Sequence, residues 1–109
     1  MNLLQVYILK CSDGKYYVGV TNDIERRIYE HNNSDDKKSF TYKRRPVELV
    51  WFSEDMDPDQ AIELEKQIKG WRREKKEALI AERWDILPFL SLRKSDIIEY
   101  KKNNLDFLN

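Results

Sequence analysis

Hydrophobic and polar positions alternate in two short runs near the start of the chain. Leu3 to Leu9 is apolar and rich in β-forming residues, and Tyr16 to Val20 repeats that character. Between them stands Cys11-Ser12-Asp13-Gly14-Lys15. An Asp-Gly pair favours a type I′ turn, in which both central residues take positive φ. The pattern therefore predicts an antiparallel hairpin with Asp13-Gly14 at its tip. Thr21, Asn22 or Asp23 then offers a cap, and the helix it starts is predicted to end near Glu30 or His31. The polar run Asn32 to Asp36 closes that helix as a loop. Pro46 opens a third strand, in which Val47, Leu49 and Trp51 alternate onto one face. Asp57-Pro58 starts a second helix, with aspartate as cap and proline in the first turn. Ala61, Leu64, Ile68 and Trp71 recur at helical spacing and mark its buried side, and Gly70 suits the position past its end. A third helix is predicted over 72–83, with Leu79 and Ile80 facing inward. Leu87 to Leu90 is expected to pack back onto the domain, and Ser95 to cap a short helix through Tyr100.

The order β-β-α-β-α-α predicts an α+β fold: a small, three-stranded, mostly antiparallel sheet flanked by helices. The length of 109 residues suits one small domain, predicted over 1–84, with 85–109 as a C-terminal extension. No run approaches the roughly 18 to 20 apolar residues needed to cross a bilayer. The first ten residues lack a basic leader and a small-residue cleavage site. The single cysteine, Cys11, cannot form an internal disulfide. A cytoplasmic protein with no membrane partner is the expectation.

Net charge is zero, which excludes a uniformly basic polyanion binder. The distribution changes that picture. Residues 46–65 carry seven acids and no base, whereas 66–83 carry seven bases against three acids. Residues 10–45 carry nine bases against six acids. Basic segments that flank an acidic one can attract phosphate locally.

The candidate chemistry is narrow. One histidine, His31, and one cysteine make a structural zinc site untenable, and there is no nucleophile elbow or Walker loop. What remains is tyrosine, arginine, one histidine and carboxylates. That set suits phosphate esters: arginine for phosphate charge, a carboxylate for a divalent metal, a phenol or imidazole for a proton. Taken singly, each residue has a plainer reading. Hairpin tyrosines stabilise sheets, and helix arginines are commonly solvated.

The order and spacing of these residues resemble the GIY-YIG nuclease superfamily. Val6-Tyr7-Ile8 stands for the first tripeptide and Tyr17-Val18-Gly19 for the second, each with one relaxed position. Thr21, Asp23-Ile24, Arg27 and His31 follow in the family's order. Then come Lys43-Arg44-Arg45-Pro46, the third strand, and Ala61, Glu65 and Ile68-Lys69. The resemblance spans residues 4 to about 83, and the run from Ile68 to Ile80 is similar to the small stand-alone members. The superfamily includes a nuclease domain of DNA excision repair and homing endonucleases.

The resemblance implies an endonuclease that hydrolyses DNA with one divalent metal, Mg²⁺ or Mn²⁺. It implies Tyr7 as general base or proton relay, Tyr17 as a positioning group, and Arg27 as stabiliser of phosphate charge. Serving as a base near neutral pH would require a cation beside Tyr7, which Arg27 or the metal would supply. Glu65 is the implied metal ligand, and His31 is a further catalytic candidate. Lys43, Arg44, Lys69, Arg72 and Arg73 are candidate nucleic-acid contacts. Gly14 and Gly19 are structural. Two other readings stay open: an inactive nucleic-acid-binding module of the same fold, and a small protein-interaction domain. A protein partner or a second copy of the chain stays open as well.

Overall fold

The computed structural model describes residues 2–83. Strand β1 is Gln5–Lys10, β2 is Tyr16–Thr21 and β3 is Glu48–Phe52. Helix α1 is Ile24–Asn33, α2 is Pro58–Lys69 and α3 is Arg73–Ile80. A short 3₁₀ turn, Tyr42–Arg44, precedes β3. The order is β-β-α-β-α-α, as the sequence predicts. The sheet order is β2-β1-β3, and both pairings are antiparallel. The chain divides into two compact units, Met1–Gly70 and a second that begins at Trp71. The sheet, α1 and α2 lie in the first, and α3 lies in the second. The expectations for Leu87 to Leu90 and for Ser95 to Tyr100 lie outside the described residues. Among the described residues, no helix is long and apolar enough to cross a membrane.

The central strand is buried on both faces: Val6, Tyr7, Ile8 and Leu9 are all inaccessible to solvent or nearly so. One face gathers Tyr7, Leu9, Cys11 and Val47, with Tyr17, Ile28 of α1 and Leu49 packed against them. Helix α2 lies along β1 and β2. Its Ala61 and Ile68 are fully buried. Leu64 is half-buried, and the sequence-predicted Trp71 lies beyond the helix in the second unit.

Several local details differ from the sequence reading. The hairpin turn is longer than a type I′ turn. The Cys11 N–H donates to the Lys15 carbonyl, and the Gly14 N–H donates to the Cys11 carbonyl. Three residues, Ser12 to Gly14, therefore form the loop, and only Gly14 takes positive φ, at 85°. A three-residue loop of this kind needs glycine in its last place alone. In β3 the pairing slips between Ile8 and Leu9: Trp51 faces Ile8, but Leu49 faces Leu9. Val50 is the extra residue of a bulge. Leu49 and Trp51 therefore fall on opposite faces, not on the one that simple alternation predicts. Helix α1 is capped by Asp23, whose carboxylate accepts from the Arg26 N–H at 3.1 Å. It runs on through Asn33, past the predicted end, because its last turn is held from outside. Arg45 donates to the carbonyls of Asn32 (2.8 Å) and Ser34 (2.7 Å). The Asn32 amide accepts from the Val47 N–H at 2.9 Å and donates to the Val47 carbonyl at 3.3 Å.

In α2, Asp57 caps the Asp59 N–H at 2.9 Å, with Pro58 in the first turn. Gly70 ends the helix with φ −80°, so glycine's left-handed freedom is not used there. Helix α3 stops at Ile80 rather than running to 83. Glu82 takes φ 56° just beyond it. Ala78 and Leu79 are buried, while Ile80 is only half-buried.

Candidate active site

Antiparallel register puts Tyr7 opposite Gly19 and Leu9 opposite Tyr17. Residues two apart on a strand share a face, so Tyr7 and Tyr17 project to the same side. Their ring centroids are 6.2 Å apart. Tyr16, one step out of register, belongs to the other side. Gly19 is needed for space. A Cβ there would sit 2.5 Å from the Tyr7 hydroxyl oxygen and 2.7 Å from Cζ. The Tyr7 ring lies against bare backbone, as close approach through a strand glycine allows.

Helix α1 delivers Arg27 and His31, four residues apart and hence on one face. Arg27 Nε donates to the Tyr7 hydroxyl at 3.3 Å. His31 Nε2 lies 3.0 Å from the same hydroxyl. The ring of His31 stands edge-on to Tyr17, with centroids 4.8 Å apart. Its other nitrogen, Nδ1, lies 2.9 Å from Oγ1 of Thr41, the residue that precedes the 3₁₀ turn. Ser39 Oγ is 3.2 Å further on. Tyr7 and Thr41 are each only 1% exposed, and His31 5%. Arg27, with a side chain 38% exposed, carries the edge of the cluster to solvent and sits 3.7 Å from Glu30.

Burial decides the protonation states. It pushes the Tyr7 phenol up to about 12, and donation from Arg27 only partly opposes that rise. Tyr17 and Glu65 add to it electrostatically. Arg27 beside Tyr7 therefore does not by itself turn the phenol into a base near neutral pH, contrary to the simplest use of a neighbouring cation. Burial, reinforced by Arg27, pushes His31 down to about 4, and Glu30 opposes this weakly. The histidine is neutral at pH 7. The hydrogen bond with Tyr7 holds the Arg27 guanidinium above its ordinary value, against the cost of burial.

Glu65 lies on α2, half-buried, within electrostatic reach of Tyr7. Its Oε1 pairs with Lys69 Nζ at 2.7 Å, one turn along. Among the described residues, no group of three or more His, Cys, Asp or Glu could hold a metal. A lone carboxylate still suits Mg²⁺ or Mn²⁺, hard ions that keep waters and phosphate oxygens as their other ligands.

The basic candidates divide. Lys43 is exposed. Arg44 is committed to the hairpin: its Nε pairs with Asp13 at 3.0 Å as an ion pair, Nη1 donates to the Phe40 carbonyl at 2.7 Å, and its guanidinium covers the Phe40 ring. Lys69 is engaged by Glu65. Arg72 and Arg73 belong to the second unit, where Arg73 pairs with Glu77 at 3.6 Å. Sequence reasoning missed Thr41 and Ser39 altogether. They stand in a polar stretch, ten and eight residues after His31, with no periodicity to mark them.

A tyrosine pair, an arginine and a histidine gather on one face of a three-stranded antiparallel sheet, with a helix carboxylate near, and the fold that carries them is that of the GIY-YIG nuclease-type family. The chain belongs to that family: the model of the GIY-YIG catalytic domain matches residues 4–78. A UPF0213 protein of Staphylococcus saprophyticus is 44% identical over 77 residues, covering 71% of this chain and 93% of its own length. A UPF0213 protein of Haloquadratum walsbyi is 44% identical over 81 residues, covering 74% and 90%. The solution structure of a UPF0213 protein from Bacillus halodurans is 36% identical, covers 72% of this chain and 83% of its own, and superposes with a TM-score of 0.47. GIY-YIG nucleases generally use a divalent metal, and the family points to nucleic acid as the ligand class.

Proposed function

We propose that the chain is a divalent-metal-dependent endonuclease that hydrolyses DNA phosphodiester bonds. The observation that carries this reading is the hydrogen-bonded set Arg27–Tyr7–His31 with Glu65 in electrostatic reach. Arg27 is charged, half-exposed and aimed at the reacting phenol, so it suits a phosphate oxygen. Tyr7 is a neutral phenol at rest. It can take a proton from water only as it gives its own away, and the neutral His31 Nε2 is the acceptor 3.0 Å from it. Tyr17 flanks both groups and fixes their orientation. Glu65 would hold one Mg²⁺ or Mn²⁺ ion, with Lys69 yielding its place. When bound, the ion polarises the phosphate and stabilises the leaving oxygen. One such centre breaks one strand per visit.

The test is nicking of supercoiled plasmid with and without Mg²⁺ or Mn²⁺, with Arg27→Ala and Glu65→Ala alongside. The expected result is metal-dependent nicked circles from the wild type and none from either variant. Nicking that both variants retain refutes the site. Binding without nicking, weakening steeply with salt, replaces the nuclease with a binding module.

A further inference from the structure

The hydrogen-bond partners of Tyr7 and His31 determine which way each proton points. Arginine donates and cannot accept. The Tyr7 oxygen therefore receives Arg27 Nε–H, and the phenol's own proton needs another acceptor. Tyr7 is buried, and among the described residues His31 Nε2 is the acceptor in contact. Neutral histidine carries one ring proton. With Nε2 accepting, that proton is on Nδ1 and is donated to Thr41 Oγ1. Thr41 is buried, so its hydroxyl proton goes to its remaining partner, Ser39 Oγ. A threonine ahead of a helical turn commonly turns its hydroxyl to the turn's free N–H groups. Thr41 makes no such cap, and its hydroxyl serves the imidazole instead.

Ser39 is half-buried and lines a cleft of about 330 Å³ together with Arg27, Glu30, His31, Ser34 and Asp36. We propose that Thr41 and Ser39 hold His31 as its Nδ1–H tautomer and complete a one-way proton path from Tyr7 to this cleft. The path rests on the nuclease reading for its purpose. The attacking water gives a proton to the Tyr7 oxygen, and the Tyr7 proton passes to His31 Nε2. The Nδ1 proton passes to Thr41, the Thr41 proton to Ser39, and the Ser39 proton to water in the cleft. The hydroxide oxygen bonds to phosphorus as the ester P–O bond breaks, and the leaving oxygen keeps that bond's electron pair and takes a proton from water. Every residue of the path ends neutral and one proton reaches solvent; His31 ends as its Nε2–H form, and the reverse shift of protons along the same hydrogen bonds returns it to Nδ1–H before the next cycle. No imidazolium forms beside Arg27, whose charge, only partly offset by Glu30, opposes one. Thr41 and Ser39 touch no reacting atom and are positioning residues.

His31 is the chain's one histidine, so every imidazole signal in its nitrogen-15 spectrum belongs to it. That spectrum, taken on the full chain, is expected to show protonated Nδ1 and bare Nε2 at neutral pH. Thr41→Val keeps the shape and removes the hydroxyl. It is expected to mix or invert the tautomers and to slow plasmid nicking by roughly 10-fold to 100-fold, within the range of positioned proton transfer. Thr41→Ser is expected to restore both. Ser39→Ala is expected to leave the fold intact, lower the nicking rate and reduce the solvent isotope effect toward that of fewer moving protons. A wild-type spectrum with protonated Nε2 overturns the proposal whether or not the protein cleaves anything. A Thr41→Val protein that nicks at the wild-type rate overturns the proton path. If the wild type shows the Nδ1–H form but cleaves no nucleic acid, the nuclease reading and the proton path fall, and the Thr41-set tautomer stands.

Discussion

The two halves of the site are held in different ways. Around Tyr7 the polar atoms are buried and bonded in series, from Arg27 through the phenol and imidazole to two hydroxyls. Around Glu65 there is one carboxylate and one lysine, a turn apart on α2, with the lysine side chain 52% exposed. The first half has its geometry without any ligand, because no member can turn without stranding a buried partner. The second is a local pair of a kind worth about 0.3–0.5 kcal/mol, which an incoming cation can replace. Rigidity is concentrated around the phenol and imidazole, and the Glu65 side is held only by its local pair with Lys69.

The largest effect that would break this contrast is at Tyr7. Tyr7→Phe keeps the ring packed against Gly19 and removes the one atom that both Arg27 and His31 bond. Single-turnover cleavage is expected to fall by roughly 10²–10⁴-fold, the worth of a positioned general base. Cleavage at the wild-type rate would detach the preformed half from the chemistry.

Next in size is the pH dependence of stability. His31 is pushed down to about 4 in the fold from an ordinary 6.5. Below 6.5 the unfolded chain takes up a proton that the folded ring refuses. This group's stabilisation is thus complete above about pH 6.5 and is lost as pH falls toward 4, about 3 kcal/mol across the window at 1.36 kcal/mol per unit. Urea unfolding of the wild type and of His31→Gln checks it: the variant should lose less stability over that interval. Parallel curves would show that the ring is not held neutral.

Gly19→Ala drives a methyl into the Tyr7 hydroxyl end. The expected cost is about 1–3 kcal/mol of stability, read from the urea midpoint, with a loss of nicking as Tyr7 is displaced. A neutral substitution would mean that β2 and the phenol separate easily, and the half described as rigid would not be so.

The smallest effect sharpens the other half. Lys69→Met removes the cation that competes at Glu65, at a stability cost below about 1 kcal/mol. Mn²⁺ binding by calorimetry should tighten a few-fold. Weaker binding would assign Lys69 to support of the metal site rather than to occupation of it.

Much of this was legible in the sequence because it depends on neighbours along the chain. Strand alternation, the Asp23 and Asp57 caps and the helical spacing of Ala61 and Ile68 are local signals. The same-side placement of Tyr7 and Tyr17 was not legible from the turn: a two-residue loop at Asp13-Gly14 would pair Tyr17 with Lys10 and bring Tyr16 to Tyr7's side, and the observed three-residue loop sets the register that brings Tyr17 there instead. Arg27, His31 and Glu65 stood out only through their ordered spacing relative to the tyrosines. What was not legible depends on contacts between distant segments. The Val50 bulge is a property of the β1–β3 pairing. The end of α1 beyond His31 is held by Arg45 and Val47, more than ten residues away. Thr41 matters only because the loop after α1 folds back onto His31, and no pattern in Ser39-Phe40-Thr41 announces that. Nor did the sequence show that Arg44 would be taken up by Asp13 and Phe40.

The most direct test of the central claim is a crystal structure of the protein with Mn²⁺ and a short DNA strand, located by the anomalous signal of the metal. The account expects one ion on the Glu65 carboxylate, Lys69 turned away, and a phosphate between that ion and the Arg27–Tyr7 pair. An ion bound elsewhere, or a phosphate that reaches neither Arg27 nor Tyr7, would contradict it.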